Sequence, residues 1–260
     1  MNHIYCILVI YNKEVHHSPS YCFINNHKDI PLIVCDNSTQ DYKNKETVLG
    51  DGNIYLSKHE NIGLSKAYNM ALDAIQLQDV KEQSYVMFMD DDTELNEEYI
   101  EWVLHASLEK DVYLPIVTDE IGILSPSQFV NGISKRIDSL DALHMGAVTG
   151  INSGMLVNFD IFNDYRFNEE LFLDYVDHNF LYDMKLKKKS IGIFDVEIHQ
   201  HFSGNGTDKK QAFSRFQIYK QDSKSFYKVI LLDSRLYKKV IRRRKLSLLK
   251  RFKDVRILWK

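Results

Sequence analysis

The sequence predicts an α/β fold with a mostly parallel sheet flanked by helices, on three observations. Short apolar runs, typical of buried strands, occur at 4–10, 31–35, 54–56 and 85–89. A helical stripe lies between the last two runs, with apolar residues every three or four positions over 64–75. Polar residues end each run. Strands that alternate with helices form βαβ units, whose strands run parallel.

The remaining elements are predicted from the same patterns. Asn96 and the acids after it predict a helix start, and apolar spacing carries this helix to Leu108. The pattern over 109–149 is less regular. The later predictions are a loop or short hairpin over 125–143, strand–turn–strand over 147–159, a helix over 170–189, a strand over 191–198 and basic helices from about Lys209.

Composition predicts a folded chain with two differently charged regions. The 260 residues include 29 Phe and Tyr, enough for a sizeable core, and only 4 Pro and 11 Gly, too few for long linkers. Residues 207–260 carry 18 Lys and Arg against 4 Asp and Glu, although the net charge is −3. We therefore expect an acidic body over 1–206 and a basic helical C-terminal extension over 207–260.

The cysteines and the short apolar runs bear on the cellular compartment that we expect for this protein. Cys6, Cys22 and Cys35 lack CxxC spacing and lie in or near apolar runs, which predicts buried free thiols in a reducing compartment. The apolar run at 4–11 is too short for a signal peptide, and no stretch reaches about 18 apolar residues. The expectation is a cytoplasmic protein without a transmembrane anchor.

The most informative motif is Asp90-Asp91-Asp92, directly after the apolar run at 85–89. Three adjacent carboxylates repel one another unless a cation lies among them. Mg²⁺ and Mn²⁺ take oxygen ligands and often bridge carboxylates to phosphates. Ligands also collect at strand ends in open α/β sheets. The motif predicts a metal–diphosphate site, with a solvated acidic turn as the alternative.

The order of the motifs is more specific than any one of them. In sequence they are Tyr11-Asn12, Asp36-Asn37-Ser38, Asn61-Ile62-Gly63-Leu64-Ser65-Lys66-Ala67-Tyr68-Asn69, the triple Asp, Ser153-Gly154, Leu171-Phe172-Leu173-Asp174-Tyr175-Val176-Asp177 and His201-Phe202-Ser203-Gly204. This series resembles the family 2 inverting glycosyltransferases of GT-A fold, and most closely their rhamnosyltransferase-like members. The resemblance covers roughly 4–206 and is less specific for the sugar. It implies a catalytic domain with a nucleotide-binding half, about 1–108, and an acceptor-binding half, about 109–206.

On the donor side, the resemblance implies contacts at two strand ends. Asp92 would contact Mg²⁺ or Mn²⁺, and Asp90, with Asp91 beside it, would lie near the donor ribose or the metal. Asp36 and Asn37 would read the base, because an imide N–H and carbonyls suit a carboxylate and an amide. A local Asx turn is the alternative for this pair. We also expect the Tyr11 ring to pack against the base.

Three further segments are implied near the donor. Asn61 and Gly63 precede a helix, where glycine permits close approach and the helix N-terminus favours anions; an ordinary helix start is the alternative. Ser153 and Gly154 would form a turn under the donor sugar and contact it through backbone atoms, with a simple β-turn as the alternative. His201 is implied to complete the metal or diphosphate site; a structural strand histidine is the alternative.

Two acids are candidates for the catalytic base. Asp174 and Asp177 are three apart, so a helix would carry them on one face. Inverting transfer needs a base to take the proton of the acceptor hydroxyl. The resemblance implies Asp177 as the base and Asp174 as the runner-up; a helix N-terminal acid is the alternative for each. Relatives often continue with Glu-Trp and an Arg, where this chain has Asn179-Phe180 and Asp183, so the acceptor side departs from the pattern.

The expected function is metal-dependent single-displacement transfer of rhamnose from dTDP-rhamnose, or of another sugar from a UDP-sugar. The acceptor would be a hydroxyl of a cell-surface or capsular polysaccharide precursor. The basic amphipathic tail, 235–260, suits an anionic membrane at the inner face of the cell membrane, and with it a lipid-linked acceptor. A helix packed on the catalytic domain and a homodimer contact are alternatives. Nucleic-acid binding is not expected, because no recognition module accompanies the charge.

Two other functions remain as alternatives. A sugar nucleotidyltransferase also joins a parallel sheet to a metal–diphosphate site, but it should carry a Gly-rich basic loop near its N-terminus. Residues 10–20 contain no Gly. The second alternative is a catalytically silent nucleotide-sugar-binding or scaffold subunit that recruits partners through its basic tail.

Overall fold

The computed structural model describes residues 1–78, 80–200 and 208–254, and its architecture is α/β as predicted. The strands are β1 (Ile4–Ile10), β2 (Leu32–Asp36), β3 (Ile54–Ser57), β4 (Tyr85–Asp90), β5 (Thr93–Glu94), β6 (Val112–Asp119), β7 (Gly122–Ser125), β8 (Ser127–Val130), β9 (Ile133–Lys135), β10 (Val148–Thr149), β11 (Met155–Asn158) and β12 (Ile191–Gln200). Nine of them form one sheet in the order β3-β2-β1-β4-β11-β6-β12-β5, with β7 paired to β6. Strands β10, β8 and β9 form a small second sheet.

Helices cover both faces of the main sheet. They are α1 (Pro19–Ile24), α2 (Asn44–Gly50), α3 (Leu64–Gln76), α4 (Glu97–His105), α5 (Val176–Leu186), α6 (Lys209–Lys224) and α7 (Ser234–Phe252). A π-helical segment, Ser225–Ile230, joins α6 to α7. Residues of β1 alternate between two buried clusters: Ile7 packs with α3, whereas Cys6 and Leu8 pack on the opposite side.

The topology brings polar residues to one edge of the sheet. Strands β1, β2 and β4 are parallel, with Ile10 opposite Asp36 and Val9 opposite Asp90. The mostly parallel prediction holds for this half. In the second half β11 runs antiparallel to both β4 and β6, and only β6 and β12 pair in parallel.

Strand β6 was not predicted, because the sequence pattern over 109–149 is less regular. The strand contains Pro115, which lacks an N–H for the ladder. The structure accommodates this proline by a change of register in the neighbouring strand. Leu114 lies opposite Ile193, whereas Ile116 lies opposite Glu197. The bulge in β12 therefore falls opposite the proline, which explains how it is tolerated inside the sheet.

The helix predicted over 170–189 is shorter in the structure. It begins at Val176, after Tyr175 adopts a left-handed conformation with φ 66°. The prediction that Asp174 lies on this helix is therefore wrong: Asp174 lies in the loop before it. The expectation of three buried thiols is also wrong in one case, since Cys6 and Cys35 are buried and Cys22 is exposed; all three are free.

The C-terminal extension packs into the main core. Phe216 of α6, Phe226 and Tyr227 of the π-helical segment and Leu248 of α7 are buried in the same cluster as α3 and α5. The predicted boundary near 206 falls on 201–207, which lie outside the described residues. None of the helices described in the structure is long and apolar enough to cross a membrane.

If the extension is part of the core, loss of one buried ring should destabilise the whole chain. Phe226 is fully buried, with its ring stacked on Tyr175 at 4.8 Å between centroids. Phe226→Ala should lower the free energy of unfolding by about 3–5 kcal/mol in urea titrations. Val229→Ala, in the same segment but 67% exposed, should change it by less than about 0.5 kcal/mol. Equal effects of the two substitutions would contradict the packing.

Candidate active site

Asp90, the last residue of β4, occupies the centre of the site. Its Oδ2 accepts hydrogen bonds from Ser153 Oγ at 2.5 Å and from Gln200 Nε2 at 3.2 Å. Burial raises the pKa of the Asp90 carboxyl to about 7, and the charges of Asp92, Asp91 and Asp177 add to the rise, while the Ser153 hydrogen bond opposes it. An oxygen-rich, negatively charged pocket of this kind favours a bound cation.

The other two acids of the motif have different neighbours. Asp91 forms an ion pair with Lys13 Nζ at 3.0 Å, and burial raises the pKa of its carboxyl while Lys13 opposes the rise. Asp92 Oδ1 accepts a hydrogen bond from Gln200 Nε2 at 3.0 Å. Ser20 of α1 stabilises the backbone of the turn, since its hydroxyl donates to the Asp90 and Thr93 carbonyls at 2.5 and 2.9 Å. The acidic turn is thus built into the protein rather than free in solvent.

Gln200 was missed by the sequence analysis, although it ends β12. Its Nε2 bridges Asp90 and Asp92, and its Oε1 accepts from Ser153 Oγ at 3.2 Å. The one available signal was its position at the end of a predicted strand. His201, predicted to complete the metal or diphosphate site, lies outside the described residues.

Ser153 and Gly154 form hydrogen bonds within the protein at the predicted turn. Ser153 is fully buried and holds Asp90 through its side chain. The Gly154 N–H donates to the Phe88 carbonyl at 2.9 Å, and its carbonyl accepts from the Tyr99 hydroxyl at 2.8 Å. Both backbone groups therefore form hydrogen bonds inside the fold, and the expected contact of this turn with the donor sugar stays a prediction.

The end of β2 contains the local turn that was the alternative to base recognition. Asp36 Oδ1 accepts the Ser38 N–H at 2.9 Å, and Oδ2 accepts from Asn44 Nδ2 and the Tyr55 hydroxyl, each at 3.0 Å. Asn37 donates its side-chain amide to the Gly63 carbonyl at 3.2 Å. Both side chains are 5% exposed. Their contact with a base stays a prediction.

Tyr11 follows β1 at the same edge and is 48% exposed. Its ring is therefore accessible, and packing against a base also stays a prediction.

At the start of α3, the N–H groups of Gly63 and Leu64 donate hydrogen bonds within the protein. The Asn61 side chain accepts the Gly63 N–H at 3.0 Å, which is an Asx turn. Gly63 has φ 83°, and a Cβ there would lie 2.7 Å from the Phe172 ring and 2.8 Å from its carbonyl oxygen. That carbonyl accepts the Leu64 N–H at 2.6 Å. The close approach that this glycine permits is to Phe172; contact of Asn61 or Gly63 with the nucleotide stays a prediction.

Asp177 and Asp174, three residues apart, have opposite environments. Asp177 lies in the first turn of α5, where its Oδ1 accepts the His178 N–H at 2.7 Å. Burial raises the pKa of the Asp177 carboxyl, against the effect of His178. Asp174 instead forms a two-pronged ion pair with the Arg215 guanidinium of α6. In the part of the chain that the structure describes, no Lys or Arg side chain forms an ion pair with Asp177.

Tyr68 connects the two acidic centres. Its hydroxyl is fully buried, and burial raises its pKa well above the ordinary value, with the charges of Asp90 and Asp177 adding to the effect. The side chain of Asn152 opposes the rise, and neither the Tyr68 hydroxyl nor the buried Asn152 amide oxygen has another hydrogen-bond partner among the described residues. The charges of Asp90 and Asp177 thus both act on one buried hydroxyl, although the two acids are 87 positions apart in sequence.

Solved structures of S. aureus TarS share this fold. The TarS chain aligns with a TM-score of 0.52 at 15% identity, covering 87% of this chain and 40% of that one. TarS 1–349 gives 0.52 at 16% identity, with 88% and 72% covered. TarS 1–349 in complex with UDP gives 0.51 at 18% identity, with 87% and 66% covered. This chain thus spans less than half the length of the first TarS chain, and these likenesses establish the fold alone.

At the level of sequence, no curated protein matches the chain significantly. The family model for glycosyl transferase family 2 matches residues 22–166, more than half of the chain. This span includes four of the seven motifs on which the resemblance was based, namely those at 36–38, 61–69, 90–92 and 153–154. With the GT-A-type sheet around them, the match assigns the protein: it belongs to glycosyl transferase family 2.

Proposed function

We propose that this protein transfers a sugar from a nucleoside-diphosphate donor to a hydroxyl of a glycan acceptor, with inversion and with Asp177 as general base. The observation that carries the proposal is the contrast between the two candidate carboxylates. Asp174 is held by Arg215, whereas Asp177 forms no described ion pair with a Lys or Arg and has a pKa raised by burial. A carboxylate with a raised pKa is the better proton acceptor near neutral pH.

In this mechanism the reaction is a single displacement. Asp177 accepts the proton of the acceptor hydroxyl while that oxygen attacks the anomeric carbon from the face opposite the diphosphate. The bond from that carbon to the diphosphate oxygen breaks, and the electron pair leaves with the nucleoside diphosphate. No covalent enzyme intermediate forms, and the configuration of the anomeric carbon inverts.

The residues present fit a divalent cation of the hard class. Asp90 and Asp92 offer carboxylate oxygens held side by side by Gln200, the ligand type that Mg²⁺ and Mn²⁺ prefer. Within the described ranges no group of three or more His, Cys, Asp or Glu could hold a metal. Two carboxylates suffice where substrate phosphates and water supply the other ligands. Such a cation would stabilise the negative charge that develops on the departing diphosphate.

For the donor we propose dTDP-rhamnose or a UDP-sugar. Asp36, Asn37 and Tyr11 lie at the carboxyl ends of β1 and β2, where α/β sheets bind nucleotides. A fold neighbour, TarS 1–349, has been solved in complex with UDP, which supports a pyrimidine nucleotide. The acceptor in this proposal is a polysaccharide precursor of the cell surface or capsule.

Helix α7 supports a further proposal, contact with an anionic membrane that presents a lipid-linked acceptor. Val240, Ile241 and Leu248 face the core. The opposite face is exposed and basic, with the apolar Leu246 among the charges; its basic members are Lys238, Lys239, Arg242, Arg243, Lys250 and Arg251. Basic side chains around an exposed leucine suit anionic headgroups. Residues 255–260 of the predicted tail lie outside the described residues.

Two substitutions should separate leaving-group binding from proton transfer. Asp92→Ala should abolish the Mn²⁺-dependent part of nucleotide binding, measured by calorimetry with UDP and dTDP. Asp177→Asn should keep that binding and lower kcat for transfer at least about a hundredfold, because the proton acceptor is gone. Asp160→Asn, at an exposed site, should change neither quantity. Near-normal turnover of Asp177→Asn would exclude Asp177 as the base.

Because the Asp90 carboxyl is buried, its ionisation should make the metal-free protein less stable as pH rises. The folded pKa, about 7, lies above the ordinary value of 3.8, so between these values the unfolded chain binds fewer protons than the folded one. Stability therefore falls through this window and is level above it. In EDTA, the stability advantage of Asp90→Asn over wild type, measured in urea, should be larger at pH 8 than at pH 5. The exposed Asp29→Asn variant controls for loss of a surface carboxylate, and an advantage independent of pH would refute the shift.

Membrane contact through α7 should depend on its exposed arginines. Wild type should sediment with vesicles containing anionic phospholipid, not with purely zwitterionic ones. Arg242→Gln/Arg243→Gln should weaken vesicle binding at least about tenfold, since each basic residue contributes about 1 kcal/mol. Lys45→Gln/Lys58→Gln removes the same charge from exposed positions elsewhere and should bind like wild type. Equal loss in both double variants would indicate a general charge effect and contradict an α7 surface.

A further inference from the structure

A single carboxylate of α6 organises the loop that precedes Asp177. Asp222 is fully buried, and its Oδ1 accepts the Phe172 N–H at 2.9 Å. Its Oδ2 accepts the Leu173 N–H at 2.9 Å and the Asp174 N–H at 2.8 Å. Three consecutive amides thus converge on one side chain. Hydrogen bonds to an ionised acceptor are stronger than neutral ones, so this contact fixes the loop backbone.

The same helix holds the loop at two further points. Arg215 pairs with Asp174 through the two terminal nitrogens of its guanidinium group, Nη1 and Nη2. The Tyr219 hydroxyl accepts a hydrogen bond from the Tyr175 hydroxyl at 2.9 Å. Tyr175 has φ 66°, a conformation that costs a non-glycine residue free energy and persists only where its surroundings hold it. The contacts with α6 provide that restraint.

The position of Asp177 depends on the conformation of this loop. It is the second residue of α5, two positions after Tyr175, so the path of 172–175 decides where the first turn of the helix begins. The Phe172 carbonyl also accepts the Leu64 N–H of α3. The loop is therefore fixed between two helices. One is α3, in the half of the chain predicted to bind the nucleotide, and the other is α6, in the C-terminal extension.

We infer that Asp222 is a positioning residue for the general base: by binding the three amides of 172–174, with Arg215 holding Asp174, it sets the orientation of Asp177. The inference rests on the proposed function, because it takes Asp177 as the base. Asp222 lies 45 positions beyond Asp177 and beyond the residues 22–166 that match the family model. The extension then completes the catalytic site instead of merely following it.

The test combines a structural and a kinetic measurement on the full chain. In Asp222→Asn the side-chain NH₂ faces backbone N–H donors, so at least one of the three hydrogen bonds is lost. Amide hydrogen exchange at 172–174 should become at least tenfold faster, with β1 and β4 unchanged. Transfer should lose at least tenfold in kcat, while KM for the donor stays within twofold. Gln221→Ala, at the exposed neighbouring position, is the matched control and should behave like wild type.

A second variant keeps the inference testable if Asp222→Asn fails to fold. Arg215 is partly exposed, so Arg215→Gln should fold, accelerate exchange at 172–174 and lower kcat with little change in donor KM. Faster exchange with normal kcat in either variant would overturn the positioning role, as would a rise of donor KM in step with the fall of kcat. If wild type transfers no sugar, the proposed function fails. Amide hydrogen exchange at 172–174 in the two variants then tests by itself whether Asp222 fixes the loop backbone.

Discussion

The three carboxylates at the end of β4 repel one another, and residues from several surrounding elements stabilise them in place. Ser153, from the turn before β11, and Gln200, from the end of β12, both donate to Asp90. Lys13, just after β1, neutralises Asp91, and Ser20 of α1 fixes the turn backbone. Four separate elements thus converge on one strand end. Moving any of them alters the pocket, because a buried carboxylate without its donors is strongly destabilised.

Local patterns in the sequence were sufficient for the parts of the fold that local chemistry determines. Apolar runs predicted β1, β2 and β4, and the helical stripe predicted α3. The position of the triple Asp also followed, because polar residues at adjacent parallel strand ends share an edge. Gln200 and Asp222 were not predictable in this way. Their partners lie 110 and about 50 residues away, and no periodicity relates such distant positions.

The two glycines singled out from the sequence show the limit of motif reading. A glycine with positive φ marks a place where something comes too close for a side chain, but not what comes close. At Gly63 the neighbour is Phe172, and at Gly154 it is the side chains of Ile198 and Pro115. At both positions the glycine lets protein segments meet. Whether a ligand also contacts these positions stays a prediction.

The clearest structural difference is between two acids that spacing alone could not separate. Spacing placed Asp174 and Asp177 on one helix face, and the preference for Asp177 came from the resemblance; in the structure the helix begins between them. Arg215 forms an ion pair with Asp174, whereas burial raises the pKa of the Asp177 carboxyl. Both deciding features come from tertiary structure, and one comes from the basic extension, whose charge first suggested an external partner. Part of that charge is used inside the protein, since Arg215 pairs with Asp174 in the loop before α5, whereas the basic face of α7 is exposed.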